Sequence, residues 1–127
     1  MDAELTAALE PVLADLASAV RLAPEIRESD FGGPGNLSAV LQLEGHGGVG
    51  IRITEGAVRP RQVVDLAGQI QDWAVEALWS AGRPPVWPIC PEHPDTHPLQ
   101  PVESEGRAVW MCPKSSRVVA VIGLLAD

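Results

Sequence analysis

The sequence predicts an α+β fold: a helix–β-hairpin–helix body over residues 1–83 and a Pro-rich part over residues 84–127 that ends in an apolar strand, together one domain. Three observations carry this. Two long stretches repeat apolar residues at helical spacing. Between them, two short segments flank a glycine loop. After the second helix, proline crowds the chain until one last apolar run. A length of 127 residues suits one domain with one core.

The first helix is expected over residues 3–22. Leu5, Ala8, Leu9, Val12, Leu13, Leu16 and Val20 recur at steps of three and four, and Asp2 and Glu4 suit the positive N-terminal end. Pro11 cannot donate to the Ala7 carbonyl. The apolar stripe nevertheless runs through it in phase, so a kinked but continuous helix is expected. Residues 23–37, with Pro24, Gly32, Gly33, Pro34 and Gly35, read as a loop. Residues 38–44 and 49–54 then read as strands. In the second, Val49, Ile51 and Ile53 share one face. Residues 45–48, Gly-His-Gly-Gly, join them, and His46 is expected to be a solvent-facing turn residue.

The helix over residues 61–80 has the clearest signature. Val63, Leu66, Ala67, Ile70, Trp73, Ala74, Ala77 and Leu78 form one face, and Asp65, Gln69, Asp72 and Glu76 mark the other. Gly82 and Pro84-Pro85 stop it. Eight of the 12 prolines fall between residues 84 and 113. That segment cannot be a helix and cannot pair throughout as a central strand, so something besides backbone bonding must hold it. Residues 118–125 close the chain as an apolar strand.

Charge removes several functions. The net charge is −8, with 9 acids against 3 bases up to Val58 and 8 against 6 after it. No basic stripe exists to neutralise phosphates, so nucleic acid is not an expected partner, and neither is an anionic membrane surface. No apolar run reaches the ~18 residues of a membrane span. The acidic start lacks the positive charge of a signal peptide, so a cytoplasmic protein is expected. The stripe Asp65, Asp72, Glu76 reads as a solvated helix face. Its functional reading is a docking surface for a basic partner.

One constellation carries chemistry. Both cysteines, Cys90 and Cys112, lie within 23 positions of one another together with His93 and His97. Two thiolates and two imidazoles make one tetrahedral zinc shell with nothing left over. Cys90-Pro-Glu-His93 has knuckle spacing, and Cys112-Pro-Lys-Ser115 repeats it with serine in the second ligand position. His97 is the natural replacement for that serine. The competing readings are buried cysteines beside loop histidines, and a Cys90–Cys112 disulfide. In a reducing compartment metal binding outweighs the disulfide. Trp87, Trp110 and Trp79 are expected to shield the metal or fill the small core beside it.

From these residues the segment over 86–123 resembles the zinc ribbons. Cys90-Pro91 and Cys112-Pro113 match that family's knuckles, while His93 and Ser115 stand where it has cysteine. The resemblance implies a C-terminal zinc-ribbon-like antiparallel sheet, with one structural zinc on Cys90, His93, His97 and Cys112. The whole chain also resembles small actinobacterial proteins of an Ala/Gly/Pro-rich kind, which implies no activity.

The function expected is a non-enzymatic module that binds or assembles with another protein. The alternative is a small zinc-dependent hydrolase using Cys90, His93 and Cys112 with an open water position, and Glu92 or Asp95 beside it. His97 decides between them: a fourth ligand closes the shell. The His-x-Glu with Pro-Cys-x-x-Cys pattern of deaminases and the His-Glu-x-x-His of metalloproteases are both absent. A third reading is a homodimer through the apolar helix faces. Glu92 is expected to be an exposed knuckle residue.

Overall fold

The computed structural model describes residues 1–20, 23–43 and 47–125. The Val20 side chain, residues 21–22, Glu44 and loop positions 45–46, His46 included, lie outside the described residues.

Helix α1 spans Ala3–Val20 and continues through Pro11. Asp2 caps it, its Oδ1 accepting the Glu4 amide at 2.8 Å and the Leu5 amide at 3.2 Å. Leu5, Ala8, Leu9, Val12 and Leu16 are buried, as the stripe predicts. Gly123, at φ 108°, rests its backbone on Pro11, so the C-terminal turn sits where the helix lacks a donor.

The body is not a hairpin between helices. It holds a three-stranded antiparallel sheet of β1 (Glu25–Ser29), β2 (Asn36–Gln42) and β3 (Val49–Thr54), in that order. Strand β1 lies inside the expected loop, paired from Glu25↔Gln42 to Ser29↔Ser38. It is an edge strand carrying Glu25, Arg27 and Glu28 with one apolar residue, Ile26. Such charged edges discourage pairing with other chains, and they show no alternation to read. Ala39, Leu41, Ile51 and Ile53 bury one sheet face, while Val49 at the strand end is 40 % exposed.

Helix α2 (Arg59–Ser80) covers that face. It starts two residues before its expected position, with Pro60 in the first turn, where a missing N–H costs nothing. All eight predicted face residues are buried, and so is Gln62. Its end is a Schellman motif. Gly82 takes φ 71°, the Arg83 amide donates to the Leu78 carbonyl at 2.9 Å, and the Gly82 amide donates to Trp79 at 3.0 Å.

The second sheet has the order β4 (Gln100–Ser104), β5 (Arg107–Met111), β6 (Val118–Val121), all antiparallel. Pro101 is confined to the edge strand β4, where a missing donor is tolerated. Glu105 and Gly106, both at positive φ, turn the β4–β5 hairpin. Strand β6 ends at Val121, short of the expected residue 125, and the chain turns there through Gly123.

Two side chains bind this sheet to the helices. Gln71 of α2 donates to the carbonyls of Trp87 at 3.0 Å and Leu99 at 2.6 Å. Asp15 of α1, 1 % exposed, accepts from Trp110 Nε1 at 2.8 Å, the Gly123 amide at 2.6 Å and the Leu125 amide at 3.0 Å. Trp87 and Trp110 are fully buried in an edge-to-face pair at 5.3 Å, and their cluster runs on into the body core. Trp79 departs from expectation. It is 70 % exposed on α2 and shields nothing.

Candidate metal centre

Each cysteine opens a tight turn. After Cys90 the His93 amide returns to the Cys90 carbonyl at 3.2 Å, which brings the His93 ring back over the thiol. An Ile89↔Pro98 bridge closes the loop and carries His97 to the same side. Cys112 leaves β5 into the second turn. The Ser116 amide donates to the Cys112 carbonyl at 2.9 Å, with Ser116 at φ 61°. The Ser115 amide points at Cys112 Sγ at 3.4 Å, the contact expected when a knuckle stabilises a thiolate.

The four side chains converge. One donor atom from each of Cys90, His93, His97 and Cys112 lies within 4.8 Å of the others, so the cluster could hold a metal ion. His93 Nδ1 sits 3.6 Å from Cys90 Sγ and 3.5 Å from Cys112 Sγ, and His97 Nε2 sits 3.9 Å from Cys112 Sγ. With bonds of about 2.3 Å to sulfur and about 2.05 Å to nitrogen, a tetrahedral zinc sets S···N edges near ~3.6 Å. The three S···N edges at 3.5, 3.6 and 3.9 Å lie within a few tenths of an ångström of that value. A soft S₂N₂ donor set does not suit magnesium or calcium. Both cysteines are free and fully buried.

The surroundings orient the donors. His97 Nδ1 lies 3.1 Å from the Pro98 carbonyl, which fixes the proton on Nδ1 and leaves the Nε2 lone pair facing the cluster. Burial works against the Cys112 thiolate. Hydrogen bonds from the Lys114–Ser115 turn, the Ser115 amide among them, and from the Cys90 thiol outweigh it and lower the pKa from 9.0 to about 6. A ligand already ionised at neutral pH takes a metal without first losing a proton.

Glu92 is more than an exposed knuckle residue. Its carboxylate accepts from Ser115 Oγ at 2.9 Å and faces Arg117 Nη1 at 3.9 Å, so the first knuckle clamps the second. Glu92→Gln keeps an acceptor for Ser115 and should leave metal affinity nearly unchanged. Glu92→Ala should weaken it by up to about tenfold, because an outer contact that orients a ligand is lost. Chelator competition at fixed pH measures both.

Sequence reasoning found the four candidate ligands and marked Ser115 by its knuckle position, but missed Asp15 and Gln71. A trace of Asp15 was visible, since it occupies a stripe position three residues after Val12. Gln71 left no signal. Comparison with known proteins finds no matching family model, no matching curated protein and no matching solved structure. The likeness to zinc ribbons thus rests on the two Cys-Pro knuckles and the three-stranded sheet that carries Cys112. Among the described residues no helix is long and apolar enough to cross a membrane.

Proposed function

We propose that this chain is a cytoplasmic zinc-binding module whose single zinc is structural, and whose role is to bind or assemble with another protein. The observation that carries the reading is the position of His97. Its Nε2 lies with the other three donors, and its Nδ1 is held by the Pro98 carbonyl. Four protein ligands fill a tetrahedral shell and leave no position for a reacting water. Glu92 supports the same reading against a hydrolase. Its carboxylate is engaged by Ser115 and Arg117, where a general base would need to face the metal. The zinc then organises a segment whose prolines deny it backbone bonds.

Protein purified without chelator should carry one equivalent of zinc by elemental analysis. Its cobalt-substituted form should show the intense visible bands of a tetrahedral thiolate site. Well under half an equivalent overturns the metal assignment. A weak spectrum of higher coordination number, altered by added anions, indicates an open site and favours the hydrolase.

A further inference from the structure

Glutamines meet the outer edge of β3 at two of three places, fully at Arg52 and at the carbonyl alone at Thr54. In an antiparallel pair, alternate residues turn both backbone groups away from the neighbouring strand. Arg52 and Thr54 do so on β3. Gln69 meets Arg52 twice, its Oε1 accepting the amide at 2.8 Å and its Nε2 donating to the carbonyl at 2.8 Å. Gln62, seven residues earlier on α2, donates from Nε2 to the Thr54 carbonyl at 3.0 Å. By the same alternation Gly50 turns its N–H and C=O to this edge, and no side chain among the described residues meets them.

A hollow of about 440 Å³ opens there, lined by Val49, Gly50, Asp72, Trp73 and Glu76 among others. Glu76 is also a wall of a second hollow, which it shares with Val75, Trp79 and Pro85. The path from Gly50 to Trp79 thus combines an open backbone edge, apolar walls and two carboxylates. Asp65 is paired with Arg61 at 3.7 Å, but Asp72 and Glu76 have no ion-pair partner among the described residues. In a chain of net charge −8 this favours a cationic occupant. Gly50 itself suits the approach. The Phe31 ring occupies the place a side chain would take at residue 50, leaving only backbone to offer at the edge.

We propose that this groove binds a short extended segment of a partner protein that carries lysine or arginine and apolar residues. The segment adds to β3 at Gly50, sets its cations against Asp72 and Glu76, and lays an apolar side chain on Trp79. This deepens the reading of the chain as a protein-binding module.

The test uses the full zinc-loaded chain, labelled for NMR, and three short peptides: alternating Lys-Val, alternating Glu-Val, and a lysine-bearing alanine helix. The Lys-Val peptide should shift the Gly50 amide and the Trp79 indole and slow Gly50 exchange. The Asp72→Lys, Glu76→Lys double variant should bind it about tenfold more weakly or worse, with helicity intact. Equal binding of the Glu-Val peptide overturns the proposal, as does no binding of any peptide, or binding of the helical peptide without Gly50 protection. Protection of Gly50 that grows with protein concentration, peptide absent, assigns the edge to a second copy and overturns it too. Zinc content measured on the same sample reports on the metal site independently, so the two readings fail separately.

Discussion

Cys112→Ser should abolish tight metal binding and release residues 86–123 from their fold while most helical circular dichroism remains. Metal binding to a site of this kind contributes on the order of 10 kcal/mol, appearing directly as folding free energy. That is comparable with the whole net stability of a domain this size. Before β4, residues 86–99 have little else. Their prolines remove donors, and their carbonyls at Trp87 and Leu99 depend on the single side chain of Gln71. The helices have their own resource in Leu5, Leu9, Val12, Leu16, Leu41, Ile51, Ile53, Leu66 and Ile70, all within 2 % of full burial. Exposing the neighbours of Trp87 and Trp110 should still lower the melting temperature. Amide exchange should become fast across residues 86–123 and stay slow around Ile70. Loss of the helices together with the metal would mean one cooperative unit, and the division at residue 83 would not stand.

Legibility from the sequence followed the range of the interaction. Helix α2 was legible nearly to the residue because its eight buried apolar side chains repeat at the helical period, a pattern complete within one segment. The metal cluster was legible for another reason. Few residue types bind soft metals, and this chain spends both cysteines in one short stretch. Strand β1 was hidden because an edge strand needs no apolar alternation. Its stability comes from the ladder to β2, which Glu25-Ile26-Arg27-Glu28-Ser29 does not advertise.

Trp79 was misjudged by weighing its bulk above its phase. It follows Asp72 and Glu76 at steps of four and three, so the helical period already set it on the polar face. Glu92 was read as an exposed knuckle residue, and it is exposed; its contacts went unseen because Ser115 and Arg117 lie more than twenty positions away. Contacts of that separation leave no local periodicity.

The extreme case is Asp15, bonded to Trp110 across 95 positions. Asp15→Ala should destabilise the folded protein by about 3–5 kcal/mol, among the largest losses a single substitution outside the metal site produces here. Three donors, the buried Trp110 Nε1 and the half-buried amides of Gly123 and Leu125, lose their acceptor at once. Each unsatisfied buried group costs about 1–3 kcal/mol. The sum is tempered by water entering the space the carboxylate leaves. Asp15→Asn is the informative control. It is nearly isosteric and keeps one acceptor oxygen, but its amide presents donors to other donors, so an intermediate loss is expected. Urea unfolding of the zinc-loaded forms measures all three proteins. The C-terminal turn should respond first, with faster amide exchange at Gly123 and Leu125 than around Ile70. A loss under ~1 kcal/mol for Asp15→Ala would show that the carboxylate is a poor acceptor for these donors. The packing of Trp110 against Trp87 would then be what joins the second sheet to α1.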